Sequence, residues 1–172
     1  MLYKHIVVAI DGSRTSLSAL AHAASLAEIS DAKMTLVNIA NPSEYMYLAP
    51  EYLQNESYES AALTQGGEVL DHAEKIAREA GVKHVERYLA TSTKGARDMA
   101  QQLIDYANEN GADLIVLGTH GRTGLMHLLM GSFAETVMRQ STLPLLVLRG
   151  TQSEESKDAE GKEGDKQDGE SK

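Results

Sequence analysis

The sequence of 172 residues contains no cysteine, no tryptophan and only one phenylalanine. The absence of cysteine excludes disulfide bonds, thiolate metal sites and cysteine nucleophiles. Because large aromatic side chains are so scarce, the core has to be built from aliphatic residues, and the hydrophobic fraction of 42% is ordinary for a soluble globular protein. A chain of this length is enough for one domain with a sizeable core and short for two.

Positive charge is also scarce, and the formal net charge is −9. An excess of negative charge argues against general binding to nucleic acid or to an anionic membrane surface. No apolar run approaches the roughly 20 residues that a membrane span requires, and the apolar run near the N-terminus stops at Asp11, which is too early for a signal peptide. These features predict a cytoplasmic protein that does not insert into a membrane.

The last 22 residues differ in composition from the rest of the chain. Ala159 is the only apolar residue of this segment, which carries eight acidic residues and four lysines. Such a segment cannot bury enough surface to offset the entropy lost on ordering. We therefore predict one domain over residues 1–150 and a disordered acidic tail over residues 151–172. The tail either increases solubility or serves as a specific interaction segment.

Strand and helix patterns alternate along the chain. Apolar, β-branched runs predict strands at residues 5–10, 34–39, 84–90, 114–118 and 143–149, with helical periodicity between them. This alternation predicts an α/β fold, in which a five-stranded parallel, doubly wound, Rossmann-like sheet has helices on both faces. The third strand is the most polar, so a strand order of 3-2-1-4-5 would place it at an edge.

Local signals refine two parts of this pattern. Ser13 is predicted to cap the first helix, whose apolar face would comprise Leu17, Leu20, Ala21, Ala24 and Ala27. After Pro42 comes an irregular stretch that bears four tyrosines, and we interpret it as a loop that runs into the second helix. This stretch, from Tyr45 to Tyr58, would either cover a ligand pocket or contact a partner; stacking on nucleic-acid bases is unlikely without a basic groove.

The strand order reverses between strands 1 and 4, where open α/β sheets bind ligands. Strand 1 ends at Asp11, and strand 4 ends at Gly118, where the stretch GTHGRTGLMHLLMGS begins. Glycines let a backbone approach a ligand closely, and several N–H groups of such a loop can face an anion. The alternative is that the glycines only shape a solvent-exposed loop and that Asp-Gly is only a turn.

The fourth helix begins near Gly131 and Ser132, and its first N–H groups favour a negative charge. Arg122 within the glycine loop is a candidate for an additional phosphate contact. The loop does not match G-x-x-x-x-G-K-[ST], and no G-x-G-x-x-G follows strand 1. The sequence therefore supports neither a P-loop NTPase nor a dinucleotide-dependent dehydrogenase.

Several blocks together resemble the universal stress protein family of the nucleotide-binding type. They are IVVAIDGS near the start, ADLIVLGTHGRTG in the middle and STLPLLVLR near residue 149. The family motif G-x2-G-x9-G-[ST] falls on Gly118, Gly121, Gly131 and Ser132. Gly124 is an extra glycine within the nine-residue spacer, and the acidic tail lies outside the family pattern.

The resemblance implies that ATP binds in the crevice, with Mg²⁺ or Mn²⁺ on its phosphates. Asp11 would contact the ribose or adenine side, and the backbone of Ile39 would meet the adenine edge. The phosphates would be held by Gly118, Thr119, Gly121, Gly131, Ser132 and the Phe133 amide.

The resemblance also implies a homodimer through the last strand, or a higher oligomer built from it. The strand residues concerned are Leu145, Leu146, Val147 and Leu148. Physical chemistry points in the same direction, since this apolar edge would be exposed in a monomer. A partner related by a two-fold axis would cover it.

Three functions remain open. The first is an ATP-binding stress-response protein that senses or carries nucleotide and signals through contacts with an unidentified protein. The second is a slow ATP hydrolase or phosphotransferase, which we disfavour because phosphoryl transfer needs a positioned base and cations, and only His120 and Arg122 are available. The third is an accessory regulator of a membrane transporter. We assign no catalytic residue and no protein metal ligand.

Overall fold

The computed structural model describes residues 2–48, 58–120 and 130–149. The strands are β1 (His5–Ala9), β2 (Lys33–Ala40), β3 (Val85–Thr91), β4 (Leu114–Gly118) and β5 (Leu145–Leu148). The helices are α1 (Arg14–Ser30), α2 (Pro42–Leu48), α3 (Tyr58–Glu79), α4 (Ala96–Glu109) and α5 (Ser132–Gln140). The predicted acidic tail lies outside the described residues.

All five strands are parallel and form one sheet in the order β3-β2-β1-β4-β5. The predicted Rossmann-like fold and strand order are therefore confirmed. The polar strand β3 lies at one edge, and β5 lies at the other edge. None of the helices within the described ranges is both long and apolar enough to span a bilayer.

The core has two layers, one on each face of the sheet. Alternate side chains of β1 and β2, such as Ile6 and Leu36, pack with α1 and α3 on one face. The intervening side chains, such as Val7 and Val37, pack with α4 and α5 on the other face. Most of the buried side chains are aliphatic, as the composition predicts.

The start of α1 agrees with its sequence signal, whereas one residue of its predicted face does not. The Ser13 hydroxyl accepts a hydrogen bond from the Ser16 amide at 3.2 Å and so caps the helix. Ala21 was assigned to the buried face but is exposed. The buried stripe instead runs through Ala19, Leu20, Ala23, Ala24 and Ala27, so Ala21 lies beyond its margin.

The prediction of a loop directly after Pro42 is wrong, because residues 42–48 form the short helix α2. Its start is explained by the preceding residue, since the Asn41 side chain accepts a hydrogen bond from the Ser43 amide at 3.0 Å. Asparagine is favoured as an N-cap, and proline is favoured at the first helical position. The sequence Asn-Pro-Ser is thus a helix start that the tyrosine-rich composition concealed. Residues 49–57 lie outside the described part.

The buried side chain of His5 links three elements at the amino end of the sheet. Its Nδ1 lies 3.1 Å from the carbonyl oxygen of Asn110, and its Nε2 lies 2.8 Å from the Thr35 hydroxyl. A carbonyl can only accept, so Nδ1 carries a proton. In the neutral imidazole, Nε2 then accepts from the threonine hydroxyl.

Burial lowers the pKa of His5 from its ordinary value of 6.5. The Lys33 ammonium also lowers the pKa, whereas the Asn110 carbonyl and the carboxylates of Glu86 and Asp113 raise it. The unfolded chain consequently takes up a proton at this site at a higher pH than the folded chain does. Acid therefore favours unfolding through His5.

We predict that the free energy of unfolding decreases as the pH falls below about 6.5, through the lowered pKa of folded His5. Urea denaturation at several pH values, for the wild type and for His5→Gln, measures this dependence. The variant should be less stable near neutral pH, and its stability should change less between pH 6.5 and the acidic limit of the His5 titration. An equal pH dependence in both proteins would contradict the assignment to His5.

Two adjacent glycines lie in the middle of α3, a position where each is expected to cost about 1 kcal/mol relative to alanine. A Cβ on Gly66 would stand 2.6 Å from Leu89 Cδ1 and 2.7 Å from Asn38 Oδ1. Alanine at this position would therefore force the Leu89 and Asn38 side chains to move. A Cβ on Gly67 would have no neighbouring atom within 4 Å, so packing does not require this glycine.

The two glycines form a matched pair for mutation. Gly66→Ala should lower the free energy of unfolding by up to about 2 kcal/mol, because overpacking of the contact with Leu89 and Asn38 costs about 1–3 kcal/mol and helix propensity returns about 1 kcal/mol. Gly67→Ala should raise it by about 1 kcal/mol through helix propensity. Chemical denaturation of both variants and the wild type gives the two signs, and a stabilising Gly66→Ala would disprove the close approach.

Candidate functional site

A cavity of about 390 Å³ opens at the carboxyl ends of β1, β2 and β4. This is the predicted switch point, since β1 lies between β2 and β4 in the sheet. Seven residues of the predicted site line the cavity: Asp11, Ile39, Gly118, Thr119, Gly131, Ser132 and Phe133. The other two, Gly121 and Arg122, lie outside the described residues, as does Gly124.

Asp11 stands on a tight turn between β1 and α1. Its Oδ1 accepts a hydrogen bond from the Ser13 amide at 2.9 Å, which is the geometry by which aspartate stabilises turns. Gly12 has φ +83°, a conformation that glycine adopts without strain. The turn therefore holds the carboxylate at the cavity while it starts α1.

At Gly118 the start of α1 packs closely against the end of β4. A Cβ on this residue would lie 2.6 Å from Thr15 Cγ2 and 3.2 Å from the Thr15 carbonyl carbon. Packing alone therefore requires glycine at the end of β4. The motif position Gly118 is thus explained by helix packing as well as by its place in the cavity wall.

Thr119 and Gly131, which both line the cavity, are joined by a backbone hydrogen bond. Thr119, which is almost fully buried, donates its amide to the Leu148 carbonyl at 2.8 Å. Its own carbonyl oxygen accepts a hydrogen bond from the Gly131 amide, also at 2.8 Å. His120 lies next to it, with its Nδ1 3.0 Å from the Thr119 hydroxyl. These bonds hold the start of α5 against the end of β4.

The first turn of α5 presents backbone donors to the cavity. Its N-cap, Gly131, provides no side-chain cap, and the first hydrogen bond within this part of the helix joins the Glu135 amide to the Gly131 carbonyl. The amides of Ser132, Phe133 and Ala134 consequently have no acceptor within the helix. All three residues line the cavity. This end of the cavity therefore favours an anion, through both the amides and the helix dipole.

Strand β2 supplies the middle of the cavity wall. The Val37 carbonyl accepts a hydrogen bond from the Ile10 amide at 2.8 Å, so the backbone of Val37 faces β1. Ile39 is two residues further along and therefore faces the same way. The pairing of β1 with β2 ends at Ala9 and Val37, so the Ile39 backbone is directed to the space beyond β1. This direction agrees with the predicted backbone contact of Ile39.

Asn38 is a cavity residue that the sequence analysis missed. Its Nδ2 donates to the Ile10 carbonyl at 2.8 Å and ties the end of β2 to β1, whereas its buried Oδ1 has no hydrogen-bond partner among the residues that the structure describes. The signal was present in the sequence, since Asn38 is a polar residue within the apolar run MTLVNI. Buried polar side chains usually make hydrogen bonds that hold them in place.

Helix α2 contributes two further residues that were not assigned to the site, Glu44 and Tyr45. Both are half-buried. The loop interpretation gave no position for Glu44, whereas Tyr45 begins the stretch that was predicted to cover a ligand pocket or to contact a partner. Apolar side chains from the flanking helices and strands complete the wall; they are Ala62 and Val69 from α3, Met99 and Leu103 from α4, Val37 from β2 and Leu117 from β4.

The cavity thus has two chemically different ends. Backbone donors surround the start of α5, and the carboxylates of Asp11 and Glu44 offer acceptors at the ends of β1 and β2. Between them the wall is largely apolar. A ligand with an anionic group, a polar part that carries hydroxyls and a flat apolar part fits this arrangement.

Comparison with known proteins relates this geometry to a family. Residues 2–149 match the Universal stress protein family. A universal stress protein of Methanocaldococcus jannaschii is 35% identical over 154 residues, which are 89% of this chain and 86% of that protein.

Two solved structures of universal stress proteins have a similar fold. A universal stress protein in complex with cAMP has 27% sequence identity and a TM-score of 0.60, over 86% of this chain and 97% of that chain. The universal stress protein from Archaeoglobus fulgidus in complex with dAMP shares the fold, with a TM-score of 0.60 and 23% identity over 86% of this chain and 99% of that chain. The chain therefore belongs to the universal stress protein family.

Proposed function

We propose that this protein binds ATP in the cavity and acts as a regulatory protein that senses or carries the nucleotide. The observation that carries the proposal is the first turn of α5, where Ser132, Phe133 and Ala134 line the cavity and their amides have no acceptor within the helix. A similar universal stress protein forms a complex with cAMP, which supports a nucleotide as the class of ligand.

The nucleotide would lie with its phosphates at α5. Asp11, at the end of β1, would accept a hydrogen bond from the ribose or from the adenine side, and the Ile39 backbone would meet the adenine edge. Within residues 2–48, 58–120 and 130–149, no group of three or more His, Cys, Asp or Glu side chains is placed to hold a metal ion. Mg²⁺ or Mn²⁺ would therefore be bound mainly by phosphate oxygens and water.

Ser132→Asp tests the phosphate position. The new carboxylate lies in the first turn of α5, where it favours the helix by about 0.3–1 kcal/mol but repels a phosphate. We predict that the wild type binds Mg-ATP below millimolar concentration and that the variant binds it about tenfold more weakly or worse. Isothermal titration calorimetry measures both affinities.

Ser25→Asp is the matched control, because it adds the same charge to an exposed position of α1 that does not line the cavity. It should bind Mg-ATP as the wild type does. Absence of binding by the wild type at millimolar ATP would refute the proposed function. Steady phosphate release by the wild type above about 1 per second would replace it with an enzymatic function.

We further propose that the signalling form is a homodimer that pairs along β5. This strand is the edge of the sheet next to β4, and its residues Leu145–Leu148 are all only half-buried. An antiparallel partner strand would cover the apolar edge and satisfy its outward backbone groups.

The direction of the backbone groups suggests a selective test. The carbonyls of Pro144 and Leu148 accept hydrogen bonds from β4, so residues at alternate positions face β4 and Val147 faces outward. Proline at an outward edge position removes a donor without breaking the ladder to β4. Val147→Pro should therefore convert a dimer into a folded monomer, as measured by light scattering and far-UV circular dichroism. A wild type that is monomeric at micromolar concentration would contradict the proposed dimer.

A further inference from the structure

We infer that Tyr45 is the residue on which the base of the nucleotide stacks, and that it therefore determines the contribution of the base to binding. This inference rests on the proposed function and assigns a role to a residue of α2 that lines the cavity. Its basis is the start of α2 directly after β2, the apolar part of the cavity wall that Tyr45 helps to line, and the distance between α2 and the start of α5.

Two hydrogen bonds join the first turn of α2 to Asn41, the residue that follows β2. The Asn41 side chain accepts from the Ser43 amide at 3.0 Å, and the Asn41 carbonyl accepts from the Glu44 amide at 3.2 Å. Pro42 is buried and restricts the backbone at the first helical position. Tyr45 follows directly after this turn, so its ring is carried by a defined piece of backbone.

The surroundings of Tyr45 suit a planar, weakly polar group. Most of the cavity wall between the two ends is apolar, with contributions from Val37, Met99 and Leu103. Such a wall does not solvate a phosphate, but it accepts the faces of a nucleobase. The hydroxyl of a tyrosine ring can remain in contact with water while the ring covers the base.

The distance between α2 and the start of α5 also fits the length of a nucleotide. Helix α2 follows β2, and α5 follows the loop after β4, while β1 lies between these strands. Two strand spacings amount to about 10 Å, which is comparable to the distance between the base and the terminal phosphates of an extended nucleotide. Among the described residues that line the cavity, the other aromatic rings are His120, directly after the end of β4, and Phe133, in the first turn of α5, and both lie on the α5 side where the phosphates are proposed. The base is thus assigned to Tyr45.

Two substitutions separate stacking from a structural role. Tyr45→Leu keeps an apolar side chain but removes the ring, and it should weaken ATP binding about 5- to 150-fold, the usual contribution of one base–aromatic stack. Tyr45→Phe keeps the ring and should retain the affinity within about twofold. Calorimetry with Mg-ATP gives both values.

Tyrosine emission supplies a readout that a structural role would not change. The protein has seven tyrosines and no tryptophan, so its emission reports tyrosine directly. A base stacked on Tyr45 should alter the emission of the wild type on ATP binding, and Tyr45→Phe should bind ATP while losing that change. Tyr106→Phe is the control, because the ring of Tyr106 stacks on Tyr88 with a centroid separation of 4.1 Å and does not line the cavity. It should keep the change.

The outcomes distinguish this inference from the proposed function. If the wild type binds ATP but Tyr45→Leu binds it equally well, or Tyr45→Phe keeps the full emission change, the stacking role is wrong and the proposed function stands. If the wild type binds no ATP, both are wrong. Should Tyr45→Leu not fold, the emission of Tyr45→Phe decides alone.

Discussion

The approach of α1 to the end of β4 at Gly118 is the contact on which the site depends. It leaves 2.6 Å between Thr15 Cγ2 and the position that a Cβ of Gly118 would occupy. The pairing of β1 with β4 places their carboxyl ends side by side, and α1, which starts immediately after the turn at Asp11, packs over the end of β4 through this contact. The Asp11 carboxylate and the first turn of α5 consequently face the same cavity. A side chain at residue 118 would push apart the two walls on which the proposed ligand lies.

Much of the fold follows from the sequence because its signals are periodic and local. The apolar run LIVLG predicts β4 with the observed bounds, and the polar character of β3 correctly predicts an edge strand. The buried face of α1 is less predictable, since alanines surround this helix and composition does not distinguish Ala21 from Ala23. Only the packing of α1 against the sheet and α3 decides which alanines are buried.

The site residues that directly follow strands were predictable, whereas those on α2 were less predictable because this helix was not expected. The ends of β1 and β4 gave Asp11, Gly118 and Thr119, which all line the cavity. Glu44 and Tyr45 line it because α2 begins at Pro42, directly after β2. A seven-residue helix has too few turns to produce a recognisable periodicity. The N-cap residue Asn41 indicates a helix here more strongly than the tyrosine-rich composition indicates a loop.

The hydrogen bond from the Gly131 amide to the Thr119 carbonyl has an evolutionary consequence. It joins the two ends of the connection between β4 and α5 at 2.8 Å. This bond joins backbone atoms of the two residues, so it depends on no side chain of the connection, and surface connections tolerate changes in length and sequence better than strands and helices do. Natural selection can alter the chemistry of that connection, and with it the preference for a ligand, without rebuilding the sheet. The preference for a ligand and the stability of the fold can therefore change separately among proteins that share this fold.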